Sequence, residues 1–224
     1  MQNRVKLTKR QIKEDKFTSV MLRSRGWFQD NWQFLAIGIF AVILLAVAAN
    51  FWFDAQANDR QVAATKFARA LNDYRGGNDQ VASAGLSNII EEHSNTDVAK
   101  QSMFLLGKLN FRMRIFPEAI RNFEQFLKNE RTDKLSRAAA QAGIAACHEN
   151  QGLYAEAAEK YEAAIKEMPD GPLIGDYHFS AMRCYLDLKD GESARIHLNI
   201  IEEKFEGSEL VNRALRMFGE KYSG

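Results

Sequence analysis

The chain has 224 residues, and its 30 Lys and Arg stand against 29 Asp and Glu for a formal net charge of +1. That balance gives no global attraction for nucleic acid. Only three prolines and few β-branched runs point to an all-α chain, long enough for one membrane segment and one domain.

Residues 1–33 form a basic N-terminal arm. Arg4, Lys6, Lys9, Arg10, Lys13, Lys16, Arg23 and Arg25 face only Glu14, Asp15 and Asp30. A helix is expected from Thr8, a residue suited to an N-cap, with Ile12, Phe17, Val20 and Met21 toward one side. Two readings stay open for it. The helix lies on an anionic leaflet, or it is a solvated tail that only sets topology; a docking role toward a cytoplasmic or membrane partner is a further option.

The run FLAIGIFAVILLAVAANFWF (34–53) contains one polar residue, Asn50. About 20 apolar residues at ~1.5 Å rise span a hydrocarbon core of about 30 Å. Trp27 and Trp32 before it and Trp52 at its far end fit interfacial aromatic belts. A buried core helix is disfavoured because the run is apolar on every face. A cleaved signal peptide is disfavoured by the 33 preceding residues and by bulky Phe51, Trp52 and Phe53 where small residues are needed. With no cysteine after the run to accept a lipid, a lipoprotein is not expected. Residues 54–73 balance Arg60, Lys66 and Arg69 against Asp54, Asp59 and Asp73. The positive-inside rule therefore expects a cytoplasmic N-terminus and an extracytoplasmic domain over 54–224.

After Phe53 no helix breaker precedes Gly76 and Gly77. The membrane helix is expected to continue as a stalk, packing through Val62, Phe67, Ala70, Leu71 and Tyr74. Beyond it a pattern recurs. In GLYAEAAEKYEAAIKEMP (152–169) the apolar positions 154, 157, 158, 161, 164 and 165 make one helical face. Gly152 suits the turn before it, and Pro169 ends it. Phe116, Ala119 and Phe123 repeat Tyr154, Ala157 and Tyr161 at an offset of 38 residues. Ala194 and Leu198 follow at an offset of 37, and Ala82, Leu86 and Ile89 form a weaker copy upstream. Such periods mean stacked repeats. The final stretch, 208–222, has Ser208 as N-cap and Leu210, Val211, Leu215 and Phe218 as its apolar side, and is expected to cap the array.

The runs LLGKLNFRMRIFPEAIRNFEQFL (105–127) and AQAGIAACHENQGLYAEAAEKYEAAIKEMP (140–169) resemble tetratricopeptide repeats (TPRs). Gly152, Tyr154, Ala157, Tyr161, Ala164 and Pro169 all match the signature, with Ala145 at its small position; His148 departs from it. Gly107, Phe116, Ala119 and Phe123 match in the repeat before, where Asn110 and Phe126 depart. The last repeat keeps Tyr185 and Ala194. The resemblance implies an α-α superhelix of about four helix pairs, with repeats near 63–99, 100–137, 138–174 and 175–207 and a cap at 208–222.

The resemblance also implies a concave face lined by the first helix of each pair. Its recognition positions fall on Gln101, Phe104, Lys108 and Phe111; on Ala139, Ala142, Ala146 and Glu149; and on Asp176, Phe179, Arg183 and Leu186. These would leave a shallow apolar trough with Lys108 and Arg183 beside it, suited to an extended or helical peptide with acidic groups. The alternative is that the phenylalanines fill space between repeats and the last helix closes the trough.

No nucleophile motif or phosphate loop is present, and His93, His148, His178 and His197 have no metal-ligand spacing. No enzyme activity, metal or cofactor is expected. Cys147 and Cys184 lie one repeat apart, so they are expected to stay unpaired, since stacked helices sit about 8–10 Å apart.

Long repeat steps are similar to those of periplasmic TPR proteins of outer-membrane assembly and the Tol system. The topology is similar to that of the ancillary SecYEG translocon subunits. These resemblances imply an adaptor in the inner membrane whose protein partners include the Sec translocon or periplasmic chaperones, with the lipid bilayer as a second partner and no nucleic acid. The alternative is a structural or coordinating subunit of another envelope assembly, in which the chain forms a homo-oligomer.

Overall fold

The computed structural model describes residues 9–129 and 132–222, with side chains described from residue 31 onward. The N-cap expected at Thr8 therefore lies outside the described residues, and the apolar side expected for the arm and the Trp27 ring lie outside the described side chains. Among those described, the chain is all-helical: α1 (Lys9–Arg75), α2 (Asp79–Glu92), α3 (Asp97–Arg112), α4 (Phe116–Leu127), α5 (Lys134–Asn150), α6 (Tyr154–Glu167), α7 (Ile174–Asp187), α8 (Gly191–Lys204) and α9 (Glu209–Tyr222). It divides into two units, residues 1–57 and 58–224.

The first unit holds one stretch long and apolar enough to cross a membrane, and none of that stretch is buried. Phe34, Phe40, Leu45 and Phe51 all stand exposed, as do Trp32 and Trp52.

In the second unit the helices stack in sequence order. Each of α2 to α8 packs on the next, and α9 closes the array against both α7 and α8. The turns inside the helix pairs share one device. Residues with positive φ stand at Gly77, Arg114, Gly152 and Lys189, which are 37, 38 and 37 positions apart. Each reverses the chain in the left-handed region, where glycine is at ease and Arg or Lys is not. Between pairs, side chains cap the next helix: Thr96 accepts from the Ala99 N–H and Asp133 from the Ser136 N–H. Asp190 caps α8 in the same way, accepting from Ser193. Such caps contribute about 1 kcal/mol each. Ser208 immediately precedes α9, but its buried Oγ has no hydrogen-bond partner, so the expected cap is not made.

The repeated small and aromatic residues are the core. Ala82, Leu86 and Ile89 are fully buried against Ala70, with Phe67, Leu71 and Tyr74 alongside. Val62, expected on that side, is 39% exposed, and Ala63 takes the buried position one residue on. Ala119 and Phe123 meet Ala140, Ile144 and Cys147; Ala157, Ala158 and Tyr161 meet Ala145, Ala181 and Cys184. Both cysteines are unpaired and fully buried, and burial pushes each thiol up to about 12, far from a reactive thiolate.

A close contact on two sides surrounds Phe123. A Cβ placed on Gly107 of α3 would come within 2.8 Å of its ring, and one on Gly143 of α5 within 2.7 Å. The ring thus lies between two helix backbones that only glycine lets come so close. Glycine inside a helix costs about 1 kcal/mol relative to alanine, and the burial of a whole phenyl ring offsets it.

Nearer the C-terminus a polar chain crosses the core. His178 of α7 and His197 of α8 share a hydrogen bond between their Nδ1 atoms at 2.9 Å, and both are buried. One ring must donate and the other accept, so at least one must stay neutral, and the bond is lost once both are protonated. The His197 ring stacks on Tyr185, and its Nε2 stands 3.7 Å from a Glu162 oxygen that also accepts from the Tyr185 hydroxyl. Burial first, and then the His197 and Lys204 charges, hold His178 down near 4; burial also lowers His197 against the opposing pull of Glu162.

Two outcomes follow from this packing. Gly143→Ala should lower the thermal midpoint despite its better helix propensity, because overpacking costs about 1–3 kcal/mol. Gly219→Ala in α9, where a Cβ meets nothing within 4 Å, should be neutral or stabilising by up to ~1 kcal/mol; thermal melts compare the two. The depressed His178 makes its contribution to stability complete above pH ~6.5, the unfolded value, and lost as pH falls toward 4. The midpoint measured against pH should fall through that window, and His178→Gln should flatten the fall.

Candidate functional site

A groove of about 520 Å³ opens on the face formed by α3, α5 and α7. Its floor is small because α5 presents Ala139, Ala142, Gly143 and Ala146 there, spaced three and four apart so that they form one stripe. Aromatic side chains make its walls: Phe104 and Phe111 from α3, Tyr177 from α7, and Tyr74 and Tyr161 beside them. The Phe104 ring is braced edge-on by Phe123 at 5.7 Å and in a tilted contact by Phe126 at 5.1 Å, and Phe111 leans on Phe116 at 5.8 Å. The walls are thus anchored from behind by the core.

Three charged groups border the groove, and they differ in what they hold. Arg112 donates to both Asp79 carboxylate oxygens and to the Tyr74 carbonyl, and its guanidinium lies 4.2 Å from the centre of the Tyr74 ring. Lys108 is exposed, its ammonium 5.9 Å from the Phe104 ring centre, and it has no carboxylate partner among the described residues. Asp176, near the start of α7, is likewise exposed and without a cation.

The residues expected to contact a partner separate into three sets. Phe104, Lys108 and Phe111 line the groove together, with Ala139, Ala142, Ala146 and Asp176. Gln101 is exposed but is not part of the lining. The other four are used internally. Phe179 and Leu186 are each only 4% exposed, packed with Ala214 and Phe218 of α9. The last helix needs an apolar bed, and these two side chains supply it; Arg213 of α9 covers the Phe179 ring at 4.7 Å.

Glu149 and Arg183 satisfy each other. Arg183 donates to both Glu149 oxygens through Nε and an Nη, the latter at 2.8 Å, and the Tyr161 hydroxyl adds a bond to Glu149 at 3.0 Å. The Glu149 hydrogen bond raises Arg183 further above its already high value, and burial followed by the Glu149 charge raises Tyr161. Closure by the last helix, the alternative weighed from the sequence, therefore holds for Phe179 and Leu186, while the stripe from Phe104 to Tyr177 stays open.

Sequence reasoning missed Tyr74, Tyr161 and Tyr177 as walls, because aromatic signature positions read as core. It also missed Gly143. A glycine within an alanine-rich helix is the signal that could have marked a close approach. Among the described residues no group of three His, Cys, Asp or Glu side chains is placed to hold a metal ion.

The tetratricopeptide repeat-like domain family matches residues 25–171, well over half the chain. The chain belongs to that family. A tetratricopeptide repeat protein from Parabacteroides merdae superposes with a TM-score of 0.64 at 14% identity, covering 73% of this chain and 61% of that one. The apo form of RapI superposes with a TM-score of 0.63 at 18% identity, covering 70% of this chain and 47% of that one. This TPR chain thus spans about three-fifths and one-half of those two structures. At such identities the likeness is one of fold. No curated protein matches the sequence.

The Glu149–Arg183 pair ties α5 to α7, so its loss should be felt in stability. Arg183→Ala leaves a carboxylate with 15% exposure unpaired and should cost about 1–3 kcal/mol. A double-mutant cycle with Glu149→Ala in chemical denaturation should show a coupling of about 1 kcal/mol or more.

Proposed function

We propose that this TPR protein is a membrane-anchored interaction scaffold whose open groove takes an extended or helical segment of another protein. The observation that carries the reading is the groove itself: a stripe of small residues between braced aromatic walls, left uncovered while Phe179 and Leu186 of α7 are sealed by α9. Apolar concavities with a few polar groups at their margins are where protein segments dock. Repeat arrays present such surfaces without needing any reacting group.

The apolar run 34–53 supports the anchoring part of the proposal, with tryptophans exposed at Trp32 and Trp52. The excess of Lys and Arg over residues 1–33 supports a cytoplasmic N-terminus, with the repeats outside the cytoplasm. In a double-membraned bacterium that places them in the periplasm. There the groove would serve proteins that emerge unfolded from the export machinery or the chaperones that receive them. The resemblance of the topology to that of the ancillary translocon subunits supports this role over others.

A photo-crosslinking side chain at Phe111, used in intact membranes and read by mass spectrometry, tests the reading. Adducts to translocon subunits or to exported chains are the expected result. Adducts to a single unrelated envelope protein, or to a second copy alone, would replace the export role with a subunit role in another assembly.

A further inference from the structure

The charges at the groove margins carry the reading further than its apolar floor does. Most cationic side chains that approach this face are already neutralised within the chain. Arg112 is held by Asp79, and Arg183 by Glu149. Lys108 and Asp176 are different. Both line the groove, neither has an ion-pair partner among the described residues, and they do not pair with each other. Lys108 sits in the last third of α3 and Asp176 in the first turn of α7, with the alanine and glycine stripe of α5 between the two helices.

An occupant lying over that stripe would take water from both charges. A wholly apolar segment would leave an ammonium and a carboxylate without counter-charges, and burial of unpaired charge is costly. A uniformly acidic segment would satisfy Lys108 but set like charges against Asp176, and a uniformly basic one would do the reverse. We propose that the groove selects a segment of mixed charge, with an acidic side chain set against Lys108, apolar side chains over Ala142, Gly143 and Ala146, and a basic side chain set against Asp176. This rests on the groove being the docking site and adds the chemistry of what docks there. The two charges set the register of the segment. Because they contact side chains rather than its backbone, either chain direction meets them.

The test uses the full chain in phosphatidylcholine nanodiscs, with empty nanodiscs as the control. Three short synthetic peptides carry a neutral dye and share one apolar centre; their ends carry Asp and Lys, Asp and Asp, or Lys and Lys. Fluorescence anisotropy should show the Asp–Lys peptide binding about three- to fivefold more tightly than either other peptide, the size expected of exposed ion pairs. Lys108→Glu should move the preference to the Lys–Lys peptide, and Asp176→Lys to the Asp–Asp peptide. Both side chains are exposed, so circular dichroism should show the fold unchanged, and Lys108→Gln should remove the preference without reversing it.

Equal binding of the three peptides, unmoved by either charge swap, overturns the charge proposal while leaving the groove as a docking site if Phe111→Asp still weakens all three. No binding by any peptide overturns it as well; whether the docking site falls too is then decided by the Phe111 crosslink. Self-association of the chain that Lys108→Glu abolishes would assign the groove to a second copy and overturn the proposal.

Discussion

The Phe123 ring lies against the backbones of Gly107 and Gly143, and much of the domain follows from that contact. It sets how closely α3 and α5 approach α4. Gly143, the backbone position that gives way to Phe123, also lines the groove, and so does the ring itself. One glycine therefore serves both the core and the groove. The groove wall depends on the same ring, since Phe104 stands edge-on to Phe123. Interiors are packed as densely as crystals of small molecules, so a wall braced in this way keeps one position.

A second constraint is electrostatic. The solenoid uses ion pairs to tie elements that are distant in sequence: Lys66 to Glu92, Arg112 to Asp79, Arg137 to Glu167, Glu149 to Arg183, and Lys221 to Asp187. Exposed pairs of this sort contribute little each. Their effect on the groove is subtractive, because a charge paired within the chain is not free at its margin. Among the described residues, what remains unpaired on the groove is one cation and one carboxylate.

The C-terminal repeat is built differently from the middle two. Its core includes two buried histidines hydrogen-bonded to each other beside a tyrosine–glutamate hydrogen bond, and an amphipathic helix laid over Phe179 and Leu186. A terminal repeat has no successor to cover its apolar side, so a cap is required. Here the cap covers Phe179 and Leu186, which would otherwise stand exposed on α7. The groove is thus confined toward α3, α5 and the first half of α7.

The sequence by itself determined the helices, their pairing and the core. Residues such as Ala119, Phe123, Ala157 and Tyr161 recur at a fixed step because each pair must bury the same stripe against the next. Local chemistry was equally legible at Gly152 and Pro169, where the backbone demands those residue types. Of the groove, Phe104, Lys108, Phe111 and the alanines of α5 were legible from their register in the repeat. Register could not say which side chains would be consumed internally. That Glu149 closes on Arg183, that Phe179 and Leu186 lie beneath α9, and that Tyr161 turns its ring to the groove while its hydroxyl serves Glu149 are facts about neighbours 12 to 34 residues or more away. Tertiary packing alone decided them, because whether a side chain is free depends on what the other helices bring to it.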